Sequence, residues 1–211
     1  MAVRERIREI KHLQNKNFIC VLENPTDIVN IGSAIRNISA FGVTKLYVIG
    51  GNKNILRDFE TSRNSKRLLQ ISVGANKWVF VKRFETTEEC VAHLLKNRYV
   101  SVVTSSHQKG KDNIDLYEGE FTQNRLAVWF GNESRGVSDE AVKNAEVCIQ
   151  IPMGGIVESL NLGTSTGITL SYISYQRLKF IYQNNRARFR PRGVAKLKMR
   201  SWREFLNPHR K

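Results

Sequence analysis

The chain has 211 residues, 41% of them hydrophobic, and a formal net charge of +15. That is enough apolar content for one well-buried domain, and no apolar run approaches the roughly 20 residues that cross a bilayer. Cys20, Cys90 and Cys148 lie far apart, which predicts reduced, buried thiols and a cytoplasmic setting rather than a disulfide framework. The four histidines show neither HxxH nor HExxH spacing, so no metal site is expected.

In chain order, Val3, Ile7, Ile10 and Leu13 recur near helical spacing with Arg4, Arg8 and Lys11 between them. This predicts a short basic amphipathic helix over 3–15, without the continuous apolar core of a signal peptide. "FICVLEN" reads as a strand running into a turn at Asn24-Pro25, and Asp27 as the cap of a helix that stops at Gly42. "KLYVIGG" reads as strand, "RNSKRLLQIS" as helix, "KWVFVKRF" as strand and "TTEECVAHLLKN" as a threonine-capped helix. "RYVSVVTSS" is then strand, "HQKGKDNIDLYEGEFTQN" a polar loop, "RLAVWFGNE" strand, "SDEAVKNA" a short helix and "EVCIQIPM" the last strand. The longest helix is predicted over 157–182.

Strands that are continuous runs of Val, Ile and Tyr, alternating with helices, predict an α/β fold. Its sheet should be mostly parallel, with helices on both faces. The divisions expected are 1–17 as a basic helix, 18–182 as the main domain and 183–211 as a basic tail. From Arg177 to Lys211 there are twelve Lys or Arg against Glu204 alone, +11 of the total +15. Arg186, Arg188, Arg190 and Arg192 alternate there with Phe189 and other uncharged residues. Concentrated cations beside aromatics favour nucleic acid over a merely solvating tail or an anionic membrane.

Ligands of parallel sheets sit beyond the carboxyl ends of the strands, which directs attention to "ENPTDIVN", "VTSSHQ", "FGNESRG" and "IPMGGIVESLN". The turn after the first strand has no glycine, and GxxxxGK[ST] occurs nowhere, so dinucleotide and P-loop sites are excluded. A ligand held in a tight turn without a phosphate cradle stays open.

Three segments, "NPTDIVNIGSAIRNISAFGV", "FGNESRGVSD" and "IPMGGIVESLNLGTSTGITLSY", occur in that order. Together they resemble the three motifs of the SpoU/TrmH family, SPOUT-class RNA ribose 2′-O-methyltransferases that use S-adenosylmethionine. The resemblance spans about residues 18–180. It implies a C-terminal trefoil knot over roughly 126–175, a homodimer and an RNA substrate, with tRNA guanosine favoured over rRNA. A non-catalytic RNA-binding protein and a base methyltransferase on the same fold are the competing readings.

The resemblance also implies site residues. Arg36 matches the catalytic arginine; a guanidinium is a poor base, so gripping a phosphate beside the target ribose and stabilising charge on the nucleophilic oxygen is the favoured role, and proton removal by the arginine itself stays open. Asn30, Glu133, Ser159 and Asn161 match the polar groups around it, with Glu133 expected to order Arg36 or Asn30. Ile151, Met153 and Leu160 match positions whose backbone holds the adenine of the cofactor. Thr104 or Ser105 is expected on its methionine or ribose side, and Gly131 is expected to let backbone approach it closely. Simpler roles compete: a surface ion pair for Arg36, a helix-start bond for Asn30, a turn carboxylate for Glu133 and an N-cap for Ser159.

Overall fold

The structure, a computed structural model, describes Glu5 and residues 10–50, 65–105 and 113–184. The chain divides into two compact units, Met1–Leu178 and Lys179–Lys211. The described part of the second unit is the end of one long helix.

The strands are β1 (Asn15–Glu23), β2 (Val43–Ile49), β3 (Phe80–Phe84), β4 (Val100–Thr104), β5 (Asn113–Asp115), β6 (Leu126–Phe130) and β7 (Val147–Gln150). They form one sheet in the order β3-β2-β1-β6-β4-β7-β5, and every pairing is parallel. All six strands predicted from apolar runs are present. β5 lies inside the predicted polar loop and pairs with Cys148–Gln150 of β7. Three residues reading Asn-Ile-Asp carry too little periodicity to announce a strand.

Both faces of the sheet are covered, as continuous apolar strands require. Phe18, Cys20, Leu22, Leu46, Val48, Val128 and Phe130 point to one side. Against them pack α1 (Ile28–Ala40), α2 (Lys66–Ile71) and α5 (Leu162–Asn184), through Ile31, Ile35, Leu68, Leu170 and Ile173. Ile19, Val21, Tyr47, Ala127 and Trp129 point to the other, under α3 (Thr87–Lys96) and α4 (Asp139–Lys143). Cys20, Cys90 and Cys148 are buried thiols, and burial pushes the Cys90 thiol up to about 12.

The helix starts follow capping chemistry. Asp27 accepts from the Val29 amide at 2.8 Å, Thr86 from Glu89 at 3.3 Å and Ser138 from Ala141 at 3.2 Å. Past Ala40 the chain turns at Gly42, which has φ of +71° and lies so close to the Leu13 carbonyl that a side chain would collide. Two expectations change. Lys11–Leu13 form a 3₁₀ turn and the chain is extended from Gln14, so the N-terminal helix does not run to residue 15. The long helix starts at Leu162 rather than 157, because the Asn161 side chain, not Ser159, caps it by accepting from the Gly163 amide at 2.8 Å.

α5 crosses α1 at Gly163 and Gly167. Asn37 of α1 donates to the Gly163 carbonyl at 2.8 Å and to the Thr166 hydroxyl at 3.0 Å. A Cβ at Gly163 would stand 2.8 Å from the Cβ of Ser33. Gly163→Val is therefore expected to cost about 2–3 kcal/mol by overpacking, read as a lower urea midpoint with unchanged slope; an unchanged midpoint would contradict this packing.

Arg177, counted above with the basic tail, belongs to the core instead. It is 6% exposed, donates to the Asn15 side chain and to the carbonyls of Phe121, Gln123 and Asn124, and stacks over Phe18. Desolvation pulls its pKa down to about 10.

Candidate active site

β1, β6, β4 and β7 are adjacent, so the segments leaving their carboxyl ends converge. This is where the strand order changes direction, the place at which open parallel sheets open a crevice. A cavity of about 410 Å³ lies at the ends of β4, β6 and β7. Thr104, Ser105, Gly131, Ile151, Met153 and Leu160, all six residues expected around the cofactor, line it. Glu133, Ser159 and Asn161 line it too, and Asn30 and Arg36 do not.

Asn30 is nevertheless tied to that wall. Its side-chain nitrogen donates to Glu133 Oε1 at 2.7 Å, and its Oδ1 accepts from Asn161 Nδ2 at 2.9 Å. The other Glu133 oxygen accepts from the Thr26 hydroxyl at 2.8 Å and the Thr26 amide at 3.3 Å. The charge of Glu133 settles the orientation of both amides: Asn30 must turn its NH₂ toward the carboxylate, which leaves its oxygen to receive Asn161. Asn161 Oδ1 in turn caps α5. One carboxylate thus fixes the relative positions of all three motif segments. Of the two partners expected for Glu133, the structure gives it Asn30.

Arg36 is exposed on α1, away from the buried face that carries Asn30, and has no hydrogen bond or ion pair among the described residues. The surface ion pair that competed for it is therefore absent there. Ser159 is exposed on the irregular, exposed segment 152–159, and Glu158 borders the cavity as well. Lys11 is exposed; Arg4, Arg8, Arg186, Arg188, Arg190 and Arg192 lie outside the described residues.

Gly131 lines the cavity as expected of it and has a packing reason to be glycine as well. A Cβ there would meet the backbone of Gly136 at 2.0 Å, across the Asn132–Gly136 bridge that closes the turn. Asn132 braces the same turn, accepting from the Ser134 amide and donating to the Asn24 carbonyl. Gly154 and Gly155 meet nothing within 4 Å, so close packing does not account for them.

Thr26 and Thr169 were missed by sequence reasoning. Thr26 precedes a recognisable cap and gives no sign of its own. Thr169 lines the cavity within α5, fully buried, and its hydroxyl has no partner among the described residues. Among the described residues no three His, Cys, Asp or Glu side chains stand close enough to share a metal, and no helix is long and apolar enough to cross a membrane.

Partial burial pushes the Glu133 carboxyl upward, but hydrogen bonds from Asn30, its own backbone amide and Thr26 outweigh it and hold the group below the usual carboxylate range. A depressed folded-state pKa gives stability that is complete above the unfolded value of about 4.3 and lost as pH falls through the folded one. The thermal-midpoint gap between the unaltered protein and Glu133→Gln is expected to stay constant from about pH 8 to about pH 5. It should close below about pH 4. A gap that widens on acidification would contradict the network.

Known proteins resemble this chain in sequence and in fold. The profile of the SpoU rRNA Methylase family matches residues 17–171. A tRNA (guanosine(18)-2′-O)-methyltransferase of Aquifex aeolicus is 30% identical over 173 residues, covering 82% of this chain and 76% of its own. The enzyme of that name from Thermus thermophilus is 29% identical over 178 residues, covering 84% of each. Among solved structures, the A. aeolicus TrmH/SpoU tRNA modifying enzyme superposes with a TM-score of 0.67 at 24% identity, over 87% of this chain and 88% of that one. The SpoU methyltransferase AviRb from Streptomyces viridochromogenes, crystallised in complex with AdoMet, gives 0.66 at 25% identity, over 78% of this chain and 62% of its own. With its motif segments joined around one cavity and its family profile matched across most of its length, the chain belongs to the SpoU rRNA Methylase family.

Proposed function

We propose that this protein is an S-adenosylmethionine-dependent RNA ribose 2′-O-methyltransferase acting on a tRNA guanosine. The observation that carries the reading is the bonded series Glu133–Asn30–Asn161, which holds three motif segments at the rim of a nucleoside-sized cavity. The curated relatives matched over most of their length are named for methylation of a tRNA guanosine.

The cavity suits the methyl donor. Its volume falls within the roughly 300–1,000 Å³ of small-molecule sites. Ile151, Met153 and Leu160 offer apolar walls for an adenine, with Thr104 and Ser105 at the other end. The buried, unpartnered Thr169 hydroxyl is a polar group of the kind a ligand satisfies. When bound, S-adenosylmethionine supplies a methyl group made electrophilic by its sulfonium.

The chain's own residues do the rest. Arg36, charged and uncommitted among the described residues, grips the phosphate next to the target ribose and stabilises negative charge building on its 2′-oxygen. Asn30 and Glu133 lock Asn161, and with it the segment carrying Ser159, into one position relative to α1. Alignment of hydroxyl and methyl is the main source of acceleration expected here.

Ile156 and Val157, 101% and 64% exposed, and Tyr175, 40% exposed, give the first unit apolar surface suited to a second copy of the chain. A homodimer, a trefoil knot over 126–175 and a cytoplasmic location complete the proposal. Sedimentation equilibrium tests the dimer.

Incubation with methyl-labelled donor and unmodified tRNA, followed by digestion to nucleosides, is expected to place label in 2′-O-methylguanosine. Label on a base, or none on any RNA, would overturn the assignment; label in rRNA alone would reassign the substrate. Removing 186–211 should weaken RNA binding about tenfold or more and flatten its salt dependence, whereas an unchanged slope would mean that the tail does not touch phosphates.

A further inference from the structure

At the amino ends of β4 and β6, opposite the methyl-transfer cavity, lies a second concavity of about 440 Å³. Lys96, Arg98 and Arg125 line it, and none of the three pairs with a carboxylate among the described residues. Glu120, nearby in sequence, is occupied by the Thr122 hydroxyl. Behind the wall stands Arg177, which holds the carbonyls of Gln123 and Asn124 and is buried with no carboxylate partner. Three cationic residues therefore line the concavity and a fourth lies behind its wall, and none of them pairs with a carboxylate among the described residues.

The end of α3, which would repel an anion, is neutralised. Asn97 caps the His93 and Leu94 carbonyls, the Arg98 amide takes Leu95, and Arg125 donates to the Asn97 carbonyl. Arg125 also lies over the Tyr99 ring at 5.9 Å, which holds its planar head in place. Asn124 accepts from Asn17 through Oδ1, leaving its own NH₂ to donate.

Arg98 supplies an independent sign. Its φ is +57°, the left-handed region that glycine or asparagine occupies at helix ends, so arginine is a strained choice there. Stability alone would place Gly at this position.

We propose that this concavity is a second RNA contact, which binds a backbone phosphodiester group of the substrate at the end of the sheet remote from methyl transfer. The inference rests on the RNA-methyltransferase reading above. β4 and β6 are five residues each, so the two contacts are separated by about 15 Å along the sheet.

The test is Lys96→Gln/Arg98→Gly, assayed with unmodified tRNA across a salt series. Kd and KM should each rise about tenfold, and the slope of log K against log salt should become shallower by one to two units. The kcat and the donor Kd should be unchanged, and the thermal midpoint unchanged or higher, since Gly suits the backbone at 98. Lys96→Gln alone, on an exposed helical position, should flatten the slope by about one unit and guards against a folding defect in the double variant. Unchanged Kd and slope in a protein that still methylates tRNA would overturn this contact while leaving the enzyme assignment standing. Failure of the unaltered protein to methylate RNA would overturn the assignment and the contact with it.

Discussion

Arg36→Ala is expected to slow methyl transfer by at least about a thousandfold while leaving donor affinity unchanged. The separation of effects follows from position. Arg36 does not line the donor cavity and has no partner among the described residues, so its removal alters neither the cavity nor the Glu133–Asn30–Asn161 series. Six residues along a helix at about 100° each set it roughly a third of a turn from Asn30, and the burial pattern agrees: Asn30 is 5% exposed and Arg36 faces outward. Stability should move by no more than about 0.5 kcal/mol, as for other exposed positions. Arg36→Lys retains the charge but not the planar fork, and should recover only part of the rate. Single-turnover transfer onto tRNA, beside calorimetric titration with the donor, reads both quantities. A near-normal rate in Arg36→Ala would refute the role; lost donor affinity would mean that Arg36 acts at the cavity instead.

The largest effect on stability is expected at Glu23. This carboxylate is 1% exposed at the end of β1, where it accepts from the Thr87 hydroxyl and from the amide and hydroxyl of Ser138. It thereby pins the first turns of α3 and α4 to the sheet. Glu23→Ala leaves three buried or part-buried donors without an acceptor and should cost about 3–5 kcal/mol. That is a large share of a typical domain stability of about 5–15 kcal/mol. At about 2–4 °C per kcal/mol for a chain this size, the thermal midpoint should fall by roughly 10 °C. Glu23→Gln keeps one acceptor but turns an NH₂ toward donors, and should fall between. Urea unfolding with equal slopes checks both; a loss under about 1 kcal/mol would show that the Thr87 and Ser138 donors find other partners.

Neither Glu23 nor Arg177 could be read from the sequence. Glu23 ends a strand beside a turn and Arg177 opens a run of cations, so local patterning assigns both to the surface. Their burial is settled by partners more than 50 residues away, Thr87 and Ser138 for one and Phe121 to Asn124 for the other. The parallel sheet was legible because unbroken Val, Ile and Leu runs have few other stable arrangements. β5 was not, since it is a strand by virtue of the β7 edge it joins. Most of the cavity residues were legible through three separated motifs acting together, and no one of them suffices; Thr104 and Ser105 were legible from their place at the end of a strand. The start of α5 was misjudged because Ser159 and Asn161 are both competent caps, and only the bond to the Gly163 amide distinguishes them. Thr169 carried no signal at all, being one hydroxyl among several on a small-residue helix.

The account stands on the donor lying between the Gly131–Gly136 turn and the 151–160 segment, with Glu133 and Asn161 joined through Asn30. The most direct measurement is a crystal structure of the protein soaked with S-adenosylmethionine. The expected density packs an adenine against Ile151, Met153 and Leu160 and extends toward Thr104. Density on another face, or the ligand bound with the Asn30 bonds to Glu133 and Asn161 broken, would contradict the account.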